Sequence, residues 1–200
     1  MSHYFINDES LGSSPRQVRY VINDVAFSLS SDLGVFSKSE LDWGSRVLIE
    51  TLLPLSLGES LLDLGCGIGP IGLTLAYFHP RLNVTCSDVN TRALVLCEKN
   101  AQTLALSHRV TCLQSDIYLE IEGKFHSIVS NPPIRAGKKV TYRIYDEAKE
   151  HLEDGGSLYV VVRKAQGAES VKKHLEEVFG NVTILKKSKG YFVLMATKMN

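Results

Sequence analysis

Ten consecutive residues, Leu61-Leu62-Asp63-Leu64-Gly65-Cys66-Gly67-Ile68-Gly69-Pro70, constrain this chain more than any other stretch. An apolar run ends in an acid, glycine then recurs at every second position, and a proline stands where a helical pattern opens. Proline suits the first turn of a helix, where its missing N–H costs nothing. Glycine has no Cβ and tolerates positive φ, so this backbone is expected to fold tightly against a ligand. The amides at the start of the following helix are expected to face that ligand. The stretch therefore predicts a strand, a ligand-binding turn and a helix, the unit of an α/β fold.

The flanking pattern extends that unit in both directions. Beyond Ser56, strands are predicted at Ser60–Leu64, Asn83–Ser87, Val110–Gln114, Ser127–Ser130 and Leu158–Val162, with two more at Val182–Lys187 and Tyr191–Thr197. Helical spacing falls between them over Pro70–Phe78, from Asn90 to Leu104, over about Thr141–Leu152 and over Ala168–Phe179. This alternation predicts a seven-stranded, mostly parallel sheet with helices on both faces. Upstream, Val18, Tyr20 and Ile22 and then Val25, Phe27 and Leu29 alternate around Asn23-Asp24, a hairpin signal. A helix from about Leu41 to Leu53 follows, with Ser39 as its expected N-cap. Residues 1–55 are read as a lead-in, hairpin and helix packed on a main domain of residues 56–200. At 200 residues, 44% of them apolar and 22% charged, a single structural domain is expected.

In an open α/β sheet, ligands bind beyond the carboxyl ends of the strands. Those ends carry Asp63 and its glycines, Asp88, Asp116 and Asn131-Pro132-Pro133. Each acid alone could be a helix cap; together they predict one polar rim. Gly65, Gly67 and Gly69 form G-x-G-x-G rather than the G-x-G-x-x-G dinucleotide fingerprint, and Asp88 stands at the spacing that suits ribose hydroxyls. Asp63 would repel a pyrophosphate and attract an ammonium or sulfonium, which favours S-adenosylmethionine over a nicotinamide dinucleotide. Asp116 is placed to accept from an adenine amine.

Proline restricts the residue before it and fixes its own φ, so Asn131 is held by Pro132 and Pro132 by Pro133. Neither proline has an N–H. The segment thus offers the Asn131 side-chain oxygen and the Pro132 carbonyl as a stiff acceptor pair for an incoming NH2 group. A rigid strand-to-loop turn is the plainer reading of the same residues.

Asp63-Leu-Gly-Cys-Gly-Ile-Gly with Asn131-Pro-Pro-Ile resembles the class I S-adenosylmethionine-dependent methyltransferases that act on amino nitrogens. Gly34-Val-Phe-Ser-Lys and Leu41-Asp-Trp-Gly-Ser narrow the resemblance to the ribosomal RNA guanine-N2 methyltransferases of the RsmC type. It covers Arg16 to the C-terminus. It implies a Rossmann-like fold with an N-terminal hairpin extension. It implies that Gly65, Gly67 and Gly69 pass beneath the methionine part of the cofactor, with Asp63, Cys66 and Val89 beside it. Asp88 would hold the ribose, Asp116 with Ile117 the adenine, and Phe36 and Ser37 would wall the site. Asn131 would lie against both the cofactor and the target amine, which it would bind with Pro132. Two features depart from the family: larger members carry a second, N-terminal domain, and Ile134 stands where many have an aromatic residue.

Charge is divided unevenly. Residues 1–130 carry nine Lys/Arg against fourteen Asp/Glu, and residues 131–200 carry thirteen against eight. Arg135, Lys138, Lys139 and Arg143, then Arg163 and Lys164, are expected with Pro133 and Ile134 to form the substrate side, attracting RNA phosphates. Lys186, Lys187 and Lys189 read as ordinary turn charges, and His126 as structural. The cysteines Cys66, Cys86, Cys97 and Cys112 include no C-x-x-C pair, so no metal site or redox dithiol is expected. Cys86 and Cys112 sit in apolar runs and read as buried thiols. No secretion signal and no apolar run of the ~20 residues needed to cross a bilayer are found, which points to the cytoplasm.

The sequence thus predicts a methyltransferase of an RNA guanine N2 amine, with small-subunit ribosomal RNA or an assembling subunit as the partner. Three rivals stand beside it: transfer to another amine (adenine N6, protein glutamine or a small molecule), a nicotinamide oxidoreductase, and a non-catalytic RNA-binding module.

Overall fold

The computed structural model describes residues 12–35, 40–132 and 137–199. The chain opens with an antiparallel hairpin, β1 (Arg16–Ile22) and β2 (Val25–Ser31), paired in register from Arg16–Ser31 to Ile22–Val25. Asn23 and Asp24 both take positive φ, 45° and 62°, as the tight turn of a twisted hairpin requires. Helix α1 (Trp43–Leu52) follows. Its N-cap is Asp42, whose carboxylate accepts from the Ser45 amide at 3.1 Å. Ser39, the cap expected from sequence, lies outside the described residues.

The main sheet is built from β3 (Ser60–Leu64), β4 (Asn83–Asp88), β5 (Val110–Gln114), β6 (Phe125–Ser130), β7 (Leu152–Arg163), β8 (Thr183–Ser188) and β9 (Tyr191–Thr197). Helices α2 (Pro70–Phe78), α3 (Thr91–Thr103), α4 (Lys138–Asp146) and α5 (Ala168–Phe179) connect them. The strand order is β5-β4-β3-β6-β7-β9-β8, parallel from β5 to β7, with β9 antiparallel to both neighbours. From β3 the chain first builds outward through β4 and β5, then returns to place β6 on the other side of β3. That reversal opens a crevice at the carboxyl ends of β3 and β6, where open α/β sheets bind ligands.

Alternate residues of each strand feed two cores. Leu61, Val84, Cys86, Val129 and Val161 pack with α1, α2, α3 and the hairpin, while Leu62, Leu64, Ile128, Val160 and Val162 pack with α4 and α5. Tyr20 of β1 stacks on Phe27 at 5.1 Å between ring centres, and its hydroxyl lies 2.8 Å from the Thr74 hydroxyl in α2. Buried Asn100 of α3 accepts from the Ser30 amide at 2.7 Å and donates to the Ser30 and Ile68 carbonyls. One side chain thus ties the hairpin to the glycine turn. On the other flank His126 sits 2.8 Å from the Ser60 hydroxyl.

One element departs from its expected bounds. The helix predicted over Thr141–Leu152 runs instead from Lys138 to Asp146 and tightens into a 3₁₀ turn at Ala148–His151. Strand β7 then begins at Leu152, six residues before the predicted start. Leu152 pairs with Phe125, and Gly155 and Gly156 exchange backbone bonds with Lys198, so tertiary pairing extends the strand through two glycines. Among the described residues, no helix is long and apolar enough to cross a membrane.

Candidate active site

The strand order sets the ends of β5, β4, β3 and β6 side by side, each about 4.8 Å from the next. Asp116, Asp88, the glycine turn and Asn131 therefore follow one another along a single rim. The sequence reading brought these residues together, and the sheet does so in that order.

The glycine turn works differently from its expected form. The amides of Gly65 and Cys66 both donate to the Ser87 carbonyl, at 2.8 and 2.9 Å, and that of Gly67 donates to Asp88 Oδ2 at 2.8 Å. The Gly69 amide bonds the Cys66 carbonyl, and the Gly72 amide, in the first turn of α2, donates to Asp63 Oδ2 at 2.7 Å. These donors brace the turn against β4 and are not presented to a ligand. What the glycines supply is space. All three have positive φ, and a Cβ on Gly65 or Gly67 would meet nothing within 4 Å. A Cβ on Gly69 would lie 2.6 Å from Cys97 Sγ and 2.8 Å from Leu73 Cδ1. Gly65 and Gly67 leave the face of the turn bare for a ligand, whereas Gly69 lets α3 close beneath it. Gly65→Ala is expected to cost about 1 kcal/mol of stability, the price of a left-handed alanine. Gly69→Ala adds steric overlap and is expected to cost about 3 kcal/mol. Urea unfolding of the two variants checks the difference.

Asp63 is wholly buried, on the strand face that looks onto α2. Because Gly69 has no side chain, Asp63 caps this helix from the neighbouring strand. Its second oxygen, Oδ1, is buried with no partner among the described residues. Burial pushes the carboxyl up from 3.8 to about 8, against the Gly72 hydrogen bond that favours the charged form. An orphaned buried acceptor on the strand that leads into the glycine turn fits a ligand carrying positive charge.

Asp88 accepts from the Gly67 amide through Oδ2 and the Asn90 amide through Oδ1, and the Val89 amide donates to the same carboxylate. Burial nonetheless raises its pKa. Val89 beside it is exposed. Asp116 is exposed, and Ile117 next to it holds φ at 58°, a strained value for a β-branched residue. Ser115 braces that turn by donating to the Ile117 carbonyl at 2.9 Å.

On the far side of the crevice, Asn131 Nδ2 donates to Asp42 Oδ1 at 3.1 Å and Ser45 Oγ at 3.0 Å. A carboxylate only accepts, so the amide must turn its NH2 group toward α1. The carbonyl oxygen Oδ1 is left for another donor; among the described residues none engages it. Pro132 behind it is buried. Asp42 and Ser45 were not assigned a role from sequence, although Leu41-Asp-Trp-Gly-Ser was singled out as a motif; nothing local says that its acid reaches a residue 89 positions away.

The cationic side is partly reassigned. Lys138 and Lys139 are exposed at the start of α4, and Arg163 and Lys164 are exposed at the end of β7 on the same rim. Arg143, in contrast, is paired with Glu147 at 2.8 Å and Asp116 at 3.6 Å, so its charge is already compensated. Lys189, read from sequence as an ordinary turn charge, lies 3.7 Å from the centre of the Trp43 ring, next to Asp42. The β8–β9 turn reaches this rim because β9 runs antiparallel to β7. Phe36, Pro133, Ile134 and Arg135 fall outside the described residues.

A doubly wound sheet with this strand order, a bare glycine turn after its first parallel strand and an acid ending the next is the architecture of a class I S-adenosylmethionine-dependent methyltransferase. The comparisons specify it further. Residues 26–195 match the methyltransferase small domain, and the chain belongs to that family. It is 40% identical over 199 residues to the uncharacterized protein YbxB of Bacillus subtilis, covering 98% of each chain. It is 47% identical over 133 residues to ribosomal RNA small subunit methyltransferase C of Aeromonas hydrophila, covering 64% of this chain and 37% of that one. The structure of the Thermus thermophilus 16S rRNA N2 G1207 methyltransferase, in complex with AdoMet and guanosine, superposes with a TM-score of 0.83 at 28% identity. That match covers 94% of this chain and 52% of the other. The chain thus spans about half or less of these methyltransferases.

Proposed function

We propose that the chain transfers a methyl group from S-adenosyl-L-methionine to the exocyclic N2 amine of a guanine in RNA, with small-subunit ribosomal RNA as the substrate class. The observation that carries this reading is the orientation of Asn131 at the carboxyl end of β6, whose NH2 group is taken up by Asp42 and Ser45 and whose carbonyl oxygen no described residue engages. Similarity to the small-subunit methyltransferases supports the RNA class.

When bound, the cofactor supplies a methyl group already activated on a sulfonium, which leaves the protein the task of positioning. Gly65 and Gly67 admit the methionine portion against bare backbone, and Asp63 Oδ1 accepts from its ammonium. Asp88 would face the ribose hydroxyls, with Cys66 and Val89 flanking. Asp116 and Ile117 border the adenine. Across the crevice, Asn131 Oδ1 and the Pro132 carbonyl would each accept one hydrogen of the target amine and so turn its nitrogen toward the methyl donor. As the N–C bond forms and the C–S bond breaks, the nitrogen becomes acidic and its proton passes to solvent. No side-chain base is needed. Lys138, Lys139, Arg163, Lys164 and Lys189 bring phosphates to the rim.

The reading is tested by methyl transfer onto RNA lacking the modification, with the product nucleosides identified by mass. N2-methylguanosine supports it; N6-methyladenosine, or a methylated peptide in place of RNA, overturns it. RNA affinity should fall steeply with salt. The Arg163→Ala/Lys164→Ala variant should lose about 1–2 of the slope of log K against log salt and bind all RNA sequences more weakly. Filter binding at several salt concentrations measures that slope.

A further inference from the structure

All four cysteines of the chain converge beneath the glycine turn. Cys86 and Cys112 are register partners in the parallel β4–β5 pair and so point to the same face of the sheet. Helix α3 crosses that face and carries Cys97, and Cys66 lies in the turn leaving the adjacent β3. The sulfurs of Cys66, Cys86 and Cys97 all lie within 4.8 Å of one another, and the three residues are buried. Cys112, the register partner of Cys86, stands on the same face of the sheet next to these three. Three strands and a helix, from residues 46 positions apart at the extremes, thus deliver sulfur to one point.

We propose that Cys66, Cys86 and Cys97, with Cys112 on the fourth side, form a binding site for a soft d10 cation such as Zn(II) or Cu(I). Thiolates select such ions, and tetrahedral Zn–S bonds of about 2.3 Å set sulfurs about 3.8 Å apart. The observed sulfurs, within 4.8 Å of one another, need to close by about 1 Å at most to reach that spacing. A disulfide uses two sulfurs and leaves the mutual approach of the third without a purpose. Glycine at position 69 is part of the arrangement, since any Cβ there would press on Cys97 Sγ. Cys112, expected from sequence to be buried, is partly exposed on the edge strand of the sheet. Binding exchanges thiol protons for the cation, and those protons pass to solvent. An occupied site ties Cys66, and with it Gly65 and Gly67, to β4 and α3, setting the rigidity of the turn from below.

The test uses the full chain, reduced and metal-free, titrated with Cd(II) as the probe in the absence of cofactor and RNA, so that its outcome is independent of the methyl-transfer reading. The expected result is one equivalent bound to the folded protein. It is read as a sulfur-to-cadmium charge-transfer band, a raised melting temperature, and protection of Cys66, Cys86 and Cys97 from alkylation by mass spectrometry. Cys97→Ser should weaken Cd(II) binding by more than about tenfold, the loss that follows removal of even an indirect support of a ligand. The proposal is overturned if the folded wild type shows no band, if alkylation in partially denaturing urea, which opens the buried thiols to reagent, proceeds equally with and without Cd(II), or if the band survives intact in Cys97→Ser. The alkylation comparison needs no variant and decides the matter even where Cys97→Ser fails to fold.

Discussion

Asn131→Ala is expected to lower the rate of methyl transfer by about 100-fold or more while leaving affinity for S-adenosylhomocysteine within about twofold. The side chain spans no part of the glycine turn, and its loss removes an acceptor that matters when the amine must be aimed. Asp42→Ala separates positioning from direct contact. It removes the carboxylate that forces Nδ2 inward, so the amide of Asn131 is free to rotate and present NH2 to the substrate. The expected signature is a drop in kcat of about tenfold or more with little change in cofactor affinity. Because Asp42 also caps α1, a stability loss of about 1 kcal/mol should accompany it. Asp42→Asn offers the cap an oxygen but no longer demands a donor from Asn131; it should restore the stability without restoring the rate. Single-turnover kinetics with cofactor titrations distinguish these outcomes. Full activity in Asn131→Ala would remove the residue from the mechanism.

The second large effect is a pH dependence centred on Asp63. In the folded protein burial holds this carboxyl at about 8, against an ordinary 3.8. Because the folded value is the raised one, the native state binds the proton more tightly than the unfolded chain does. The contribution of Asp63 to stability is complete below about pH 4 and is lost as pH rises toward 8. A cationic ligand reverses the preference, since an ammonium next to Oδ1 favours the carboxylate. Cofactor binding then expels the proton, and affinity for S-adenosylhomocysteine should rise by up to about tenfold per pH unit below pH 8. Asp88, also raised by burial, faces the same turn and adds a shallower dependence. Asp63→Asn should abolish the steep part of the binding profile, weaken binding at pH 8, and flatten the decline of melting temperature between pH 5 and pH 8. Calorimetric titration across this range, with proton release measured in two buffers, checks the sign. An unchanged profile in Asp63→Asn would show that the carboxyl does not meet the ligand.

Much of this site was readable before any coordinates. Strand and helix periods place Asp63, Asp88, Asp116 and Asn131 at the ends of consecutive strands, and the rule that such ends bind ligands makes them one rim. The glycine turn announced a backbone that needs positive φ, and all three glycines take it. Its amides were misjudged, because whether an N–H faces a ligand or a neighbouring carbonyl depends on how β4 sits against β3. The early start of β7 was hidden for the same reason: Gly155 and Gly156 read as a break until Lys198 pairs with them. Arg143 looked like a phosphate ligand because its partner Asp116 is distant in sequence, and Lys189 looked idle because Trp43 is more distant still.

By itself the sequence determined the α/β alternation and the rim, since those follow from local period and from glycine's missing Cβ. Only the tertiary structure decided which way Asn131 faces, which glycines stay bare, which cations are spent on ion pairs and that four scattered cysteines meet. Each of these depends on pairs of groups brought together by strand order and helix packing. Contacts across 89 residues leave no mark in either partner's own neighbourhood.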